Sequence, residues 1–499
     1  MEEYTGGSVE ADHLCVLVHG LWGNPSHMLN IAKALRAQYA RDQVYLLVAK
    51  RNSGSFTYDG IELGGERVCL EIEEELELIH SRGGNITKLS IVGYSLGGLV
   101  ARYAIGLLHA RGVLDKLECM SFTAFASPFL GVRTPLRGLA NQLFNVVGAR
   151  TLCMSGRQLF GIDRFRDTGK PLLAVLADPG SIFLRGLARF RRRTLYSNIV
   201  NDRSATYYTT CITKTDPYAD LAKVQVRFLP GYDDVILDPD DPVAPAPAAA
   251  PAGPEPLAAR AGRWARRVPL VLALTVFIPL GLVAFLVNSA VQTVRSARRV
   301  KLHESGLAGV PVDEFRRLDL WIRDLREAVE HTYENLNSAQ EHEYLVSSSG
   351  SGGSRSSSRS SSGDEAEAGM DDRSENTSVD GERRACSGNG EQEAVAAVSK
   401  DDDDDDDDKS DASAADREIL ALERKASRGH HDGPFATLAL APYQFAAIQA
   451  LDGLGWRKYP VWIRKHRHSH AAIIVRMNKK GFEEGNVVLK HWVTEEFLV

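Results

Sequence analysis

At 499 residues the chain can form one large domain with appendages, or two to three ordinary domains. The net charge is -6, and the run Asp401 to Asp408 alone carries more acid than that, so the remainder is nearly balanced and nothing argues for nucleic acid. The six cysteines are scattered without a C-x-x-C pair, and the acidic start Met1-Glu2-Glu3-Tyr4 lacks the apolar core of a secretory signal, so none is expected.

Strand-like and helix-like runs alternate over residues 13–216, the pattern of an α/β fold with a mostly parallel sheet. Leu14 to Val18 reads as a buried strand. Asn24 followed by Pro25 is a helix start, a cap with proline at the first position, and the helix runs to about Tyr39. Val44 to Val48 is the next strand, and a charged amphipathic helix spans about Gly65 to His80. Lys88 to Val92 is short, apolar and β-branched, and Gly98 to Ile105 after it reads as a helix. Met120 to Ala126 and Leu195 to Val200 are further strands. Cys15, Cys119 and Cys211 lie in such apolar runs and read as small buried hydrophobes of a reducing compartment.

Composition divides the rest. Residues 10–238 form the first part of the sheet domain, and 239–262 are a Pro/Ala-rich linker. Residues 263–301 hold an apolar segment whose core, 268–287, carries no charge and has arginines on both flanks. Residues 310–346 are helix-like, with a stripe at Phe315, Leu318, Ile322, Leu325 and Val329. Residues 347–430 are Ser/Gly-rich and then acidic, too poor in apolar side chains to order themselves, and are read as disordered. Order returns over 435–499, with a helix-like run Gln444 to Leu451 and a strand-like run Tyr459 to Ile463.

The chemistry centres on Gly93-Tyr94-Ser95-Leu96-Gly97. This G-x-S-x-G sequence sits between a strand and a helix, where a sharp turn lifts a serine hydroxyl clear of the sheet and crowded backbones need glycine. A serine becomes a nucleophile only when a base takes its proton, and that base needs an orienting acid. In such a fold the order is Ser, acid, His. Asp202, just after the strand ending near Val200, fits the acid, with Asp216, Asp233 and Asp234 as competitors. For the base, Arg464 to Arg476 offers three histidines. His470 directly precedes an apolar run that can dock on the sheet and fix the ring, and His468 is the runner-up. A metal site is disfavoured because no cysteine or carboxylate cluster completes a ligand set. The oxyanion donors are read as the N–H groups of Leu96, after the nucleophile, and Leu21, in the loop His19-Gly20-Leu21-Trp22-Gly23-Asn24. His19 is taken to shape that loop rather than to act as the base.

Five stretches together resemble the α/β-hydrolase family known as putative serine esterases, particularly fungal members on lipid droplets that act as phospholipases and acylglycerol lipases. They are Val18 to Asn24, Gly93 to Leu99, Phe125 to Gly131, Gly455 to Val461 and His468 to Arg476. The resemblance implies an α/β-hydrolase fold and maps the family triad onto Ser95, Asp202 and His470. Ser127-Pro128-Phe129 departs from the Thr-Pro-His frequent in the family, which leaves substrate preference open if that loop shapes the acyl site.

A run of twenty apolar residues is long enough to span a bilayer. Ser95 and Asp202 precede it and His470 follows it, so a single crossing would separate nucleophile from base. A hairpin entering and leaving on one face avoids the conflict, with Pro279 and Gly281 near its middle and basic flanks on an anionic surface. A transmembrane span with a non-catalytic tail and a buried core helix are the alternatives. The helix-like 310–346 segment is read as an interfacial or lid helix, or as plain packing. The sequence thus points to an α/β-hydrolase fold interrupted by a membrane hairpin or transmembrane segment and a disordered acidic insertion. The function expected is that of a serine hydrolase cleaving glycerolipid esters (phospholipid or monoacylglycerol) without metal or organic cofactor. It would work at a membrane or lipid-droplet surface, on the endoplasmic reticulum or droplets, with the catalytic domain facing the cytosol. The rivals are another acyl-ester or thioester hydrolase, and an inactive hydrolase fold that binds lipid.

Overall fold

The computed structural model describes residues 2–133, 153–232, 234–246, 286–303 and 435–499, together with isolated positions such as Val283, Phe315 and Leu320. The acidic insertion, most of the 268–287 run and most of 310–346 lie outside the described residues.

Six strands form one sheet: β1 (His13–Val18), β2 (Val44–Val48), β3 (Lys88–Tyr94), β4 (Glu118–Phe125), β5 (Arg192–Asn198), and, after the small antiparallel pair β6 (Val224–Val226) and β7 (Val243–Pro245), β8 (Arg457–Val461). Their order is β2-β1-β3-β4-β5-β8, and every neighbouring pair is parallel. A parallel sheet needs both faces covered, because its crossover helices lie on both sides. One face packs under α2 (Ile61–Ser81) and α3 (Leu96–Ala110), with Val68, Ile72, Leu99 and Tyr103 in its core. The other packs under α1 (Leu29–Gln38) and the helix Glu484–His491, around Ile31, Leu35, Val488 and Trp492. The central strands β1, β3 and β4 are accordingly near-continuous buried runs.

β1 lies between β2 and β3, so the chain reverses its direction across the sheet there. Loops leaving the two strands on either side of such a point open a crevice at the carboxyl ends, where α/β proteins bind ligands. The His19 to Asn24 loop leaves β1 at this point and the Ser95 turn leaves β3. Asn24 caps a short 3-10 turn, Pro25–Met28, with its side chain accepting Ser26 N–H, before α1 begins at Leu29.

The C-terminal residues complete the edge of the sheet. Pro460 fits inside β8 because β8 is an edge strand and proline cannot donate to a second neighbour. The five described cysteines, Cys15, Cys69, Cys119, Cys153 and Cys211, are free and buried. Phe315, from the predicted stripe, is fully buried with the Arg111 guanidinium 5.3 Å from its ring centroid. Among the described residues no helix is long and apolar enough to cross a membrane.

Candidate active site

Ser95 has φ 55 and ψ -127, a backbone conformation that costs a non-glycine residue energy and is held here by its neighbours. Its N–H donates to Phe125 O at 2.9 Å. The flanking glycines answer to space. A Cβ on Gly97 would lie 2.2 Å from Val18 O, and one on Gly93 2.4 Å from Gly98 Cα. The strand-to-helix turn therefore closes only with bare backbone at both positions.

The structure brings Ser95, Asp202 and His470 together. His470 Nε2 is 2.9 Å from Ser95 Oγ, and His470 Nδ1 is 2.8 Å from Asp202 Oδ2. A carboxylate only accepts, so Nδ1 carries the proton and Nε2 presents a lone pair to the serine hydroxyl. The Asp202 side chain is 2 % exposed and its acceptor sites are used. Oδ1 receives the N–H groups of Ser204 and Ala205 at 3.0 and 2.9 Å, and Oδ2 also receives Asn198 Nδ2 at 3.0 Å. Buried and saturated with donors, the carboxylate is fixed in place before any substrate arrives.

His470 sits in a short helix, Ser469–Ala472, held from several sides. Tyr94 Oη donates to His470 O at 2.9 Å, and the two rings lie 5.2 Å apart. Ser469 Oγ donates to Val200 O. Ile473 and Ile474 are fully buried against the sheet. Glu484 accepts Arg464 N–H and Lys465 N–H at 2.9 Å each, pinning the start of the same loop. His468 is exposed at the N-terminus of this short helix, its ring tilted against that of His466 at 5.4 Å, and does not reach the serine. Of the competing acids, Asp216 caps a turn by accepting Tyr218 N–H, Asp234 offers its backbone carbonyl to Arg464, and Asp233 lies outside the described residues.

The β1 loop faces the nucleophile closely enough that a Cβ on Gly20 would stand 2.7 Å from Ser95 Cβ. Within it, Trp22 N–H is engaged by Thr57 Oγ1 at 3.0 Å and Gly23 N–H by Gly20 O, whereas Leu21 N–H takes part in neither bond. Leu96 begins α3, whose first amides have no intrahelical acceptor. Buried His19 donates Nδ1–H to Gly20 O at 3.1 Å, and burial lowers its pKa, so it braces the loop as a neutral ring. Phe129, at the departure from the family pattern, is fully buried 5.6 Å from Trp456 and 5.0 Å from the Arg102 guanidinium, within the core.

Three supports were not foreseen from sequence. Asn198 orients the acid, Tyr94 holds the histidine backbone, and Thr57 with Tyr58 holds Trp22, whose Nε1–H donates to Tyr58 Oη at 2.6 Å. Only Asn198 had a local signal, lying four residues before Asp202 on the strand that delivers it.

Residues 8–215 match the family described as "Putative serine esterase (DUF676)". Over those residues the chain is similar to that family. Among curated relatives, "Putative lipase ROG1" of Saccharomyces cerevisiae is 33% identical over 42% of this chain and 30% of its own length. "Putative lipase C4A8.10" of Schizosaccharomyces pombe is 23% identical over 42% of this chain and 27% of its own. The chain therefore spans about a third of the length of the curated relatives it matches. Solved structures that align include RedJ, 20% identical over 42% of this chain and 79% of that chain with a TM-score of 0.23. The Trichoderma reesei cutinase with a phosphonate inhibitor aligns at 16% identity over 26% of this chain and 57% of its own, with a TM-score of 0.18. The likeness of this domain to α/β-hydrolases rests on the family match over residues 8–215 and on its own sheet order and elbow turn.

Proposed function

We propose that the protein is a serine carboxylic-ester hydrolase of phospholipase or monoacylglycerol lipase type, acting on glycerolipids at a membrane or droplet surface. The single observation that carries the chemistry is the continuous hydrogen-bond chain from Ser95 through His470 to Asp202. Ser95 Oγ attacks the ester carbonyl while His470 Nε2 takes its proton. The tetrahedral oxyanion rests on the N–H groups of Leu21 and Leu96. The imidazolium, stabilised by Asp202, returns the proton to the departing alcohol, leaving an acyl-serine. Water, deprotonated by the same nitrogen, cleaves the acyl-enzyme to carboxylic acid and free serine.

The lipid assignment is supported by the family match and by the apolar run at 268–287. Topology supports a hairpin. Residues 243–245 pair with β6 before the run, and Arg299 after it bonds to Asp59 of the same domain, so the chain would enter and leave any lipid phase on one side. The expected address is the droplet or endoplasmic reticulum surface, with the catalytic domain in the cytosol.

The test is labelling by a fluorophosphonate probe, then hydrolysis of phosphatidylcholine, monoacylglycerol and an acyl-cysteine thioester. Labelling of wild type that disappears in Ser95→Ala and His470→Ala but persists in His468→Ala is expected, with glycerolipid cleaved fastest. Folded wild type that never labels would overturn the hydrolase; a preference for the thioester would overturn the lipid-ester assignment.

A further inference from the structure

Val283 and residues 286–303 are helical, and this helix is amphipathic in an unusual sense. At 3.6 residues per turn, Val283, Val287, Val294, Arg298 and Lys301 fall within about 60° of one another. That face is exposed along its length: Val283 is 59 %, Val287 59 % and Val294 54 % exposed, with Leu286 and Val291 at 43 % and 44 % beside them. Arg298 and Lys301 are exposed too. The face is apolar at its start and cationic at its end. The buried side of the helix is the polar one, with Ser289, Ser296 and His303 buried.

That polar side bolts the helix to the hydrolase domain. Arg299 makes a two-pronged contact with buried Asp59, its Nε at 2.8 Å and Nη2 at 2.7 Å from the carboxylate. His303 Nε2 lies 2.5 Å from Glu66 Oε2, and Ser296 Oγ donates to Tyr58 O. The bolted segment is the one that holds the oxyanion loop, since Tyr58 Oη receives Trp22 Nε1–H. Trp22 is itself 53 % exposed.

We infer that this helix face is a docking surface for an anionic phospholipid interface, entered by its N-terminal end. The order of chemistry along the face is that of a lipid surface from acyl region to headgroup. Val283 to Val294 covers roughly 16 Å at about 1.5 Å per residue, near half of a hydrocarbon core of roughly 30 Å. The cations begin four residues later, at headgroup depth. No acidic residue occurs between 256 and 303, so charge complementarity selects anionic headgroups over a basic or neutral partner. The face also continues directly from the apolar run at 268–287. Through Arg299, Asp59 and Tyr58 the docked helix fixes how Trp22 and the Ser95 crevice meet the lipid. The inference rests on the lipid-hydrolase reading only in taking the lipid surface as the place where substrate lies.

The test uses the full chain in a Cys386→Ser background, the other five cysteines being buried. A polarity-sensitive fluorophore is attached in turn to Val287→Cys, Val294→Cys, Arg298→Cys and Lys301→Cys, and vesicles of phosphatidylcholine with phosphatidylserine carry a nitroxide either in mid-chain or on the headgroup. Blue-shifted emission quenched by the mid-chain nitroxide is expected at positions 287 and 294, and headgroup quenching at 298 and 301. Arg298→Glu with Lys301→Glu should weaken vesicle binding several-fold in low salt and little in high salt. Water-like emission at all four positions while the protein is vesicle-bound would overturn the inference, as would a blue shift that needs no vesicles and rises with protein concentration, the sign of a second copy. Fluorophosphonate labelling of Ser95 in the same samples reports the hydrolase chemistry separately, so each reading can fail alone.

Discussion

Replacing Asp202 by Asn tests the site most sharply, because the change keeps shape and alters one proton. Asp202 accepts four hydrogen bonds: Ser204 and Ala205 N–H on Oδ1, Asn198 Nδ2 and His470 Nδ1 on Oδ2. An asparagine at 202 has one acceptor oxygen, and two backbone donors that cannot move compete for it on the Oδ1 side. Its NH2 group then occupies the Oδ2 position and faces Asn198 Nδ2 and His470 Nδ1. To avoid opposing donors, His470 must present an unprotonated Nδ1, which places its proton on Nε2, toward Ser95 Oγ. The base is then in the wrong tautomer while the geometry survives. Comparable tautomer inversions in serine hydrolases cost about 10⁴-fold in rate, equivalent to about 5.5 kcal/mol of barrier. The assay is the second-order rate of fluorophosphonate labelling together with turnover of a short-chain nitrophenyl ester, with melting temperature as the control. His470→Ala should be similarly slow, and the double variant should be little slower than His470→Ala, because the two act as a unit. A loss below tenfold in a well-folded Asp202→Asn would refute the assignment of acid and tautomer together.

Gly20→Ala should slow labelling by about 100-fold or more, since the added methyl would stand 2.7 Å from Ser95 Cβ and 2.9 Å from Tyr94 O and must displace the oxyanion loop; unchanged labelling would show that the loop does not face the nucleophile. Tyr94→Phe keeps the ring beside His470 and deletes one hydrogen bond to its carbonyl, worth about 1 kcal/mol, so kcat should fall about five- to tenfold with KM unchanged, and a KM effect alone would contradict a positioning role. Stability should respond to acid through two buried histidines. Burial lowers His13 and His491 from the usual 6.5 to about 4 each, so both are neutral when folded. Between pH 6.5 and about 4 the unfolded chain binds protons the folded one refuses, and the stability they support, full above pH 6.5, drains as pH falls. In denaturant titrations at successive pH values, His491→Asn should remove about one proton from that slope; an unaltered slope would mean His491 is charged in the fold.

Much of the sheet domain was legible because its signals are local. Val44 to Val48 was read with its observed bounds, and the elbow strand and helix differ only by a few terminal residues, Lys88–Tyr94 and Leu96–Ala110. α2 was read from Gly65 but begins at Ile61, and the error is instructive. Gly64 and Gly65 look like helix breakers, yet they are there for packing: a Cβ on Gly65 would lie 2.6 Å from Tyr103 Cδ1, so the glycines let α2 and α3 approach. The Ser95 position was visible in a pentapeptide. Asp202 and His470 are 268 residues apart, and chain order plus family likeness pointed to them where no local pattern could. Tyr94 to His470 O, and Trp22 to Tyr58, were illegible because each pair is joined only by the folded sheet and its loops. The helix after the apolar run was read as part of a membrane segment, and its polar side turned out to grip the domain, because Ser296, Arg299 and His303 find partners around Asp59 and Glu66 that no periodicity records.

The arrangement also explains how so long an insertion can sit inside the domain that carries the triad. Nucleophile and acid leave β3 and β5, but the edge of the sheet and the base come from residues after 435, so the site closes only when the chain returns. Closing a loop costs entropy that grows only with the logarithm of its length, so lengthening the excursion adds little once it exists. The return is secured by contacts unrelated to catalysis: β8 pairs with β5 from Arg457 to Val461, Trp492 Nε1–H reaches Thr123, and Tyr459 and Arg457 converge on buried Glu496. These would hold the C-terminal residues in place even in a chain cut within the insertion. A nick there should leave labelling of Ser95 intact as long as both pieces stay bound, whereas a chain ending before 435 would lose base and sheet edge together. The triad, assembled from both sides of the insertion, depends on its two ends meeting, and between them the helix that Ser296 and Arg299 fix to Tyr58 and Asp59 braces the loop of Trp22 as well.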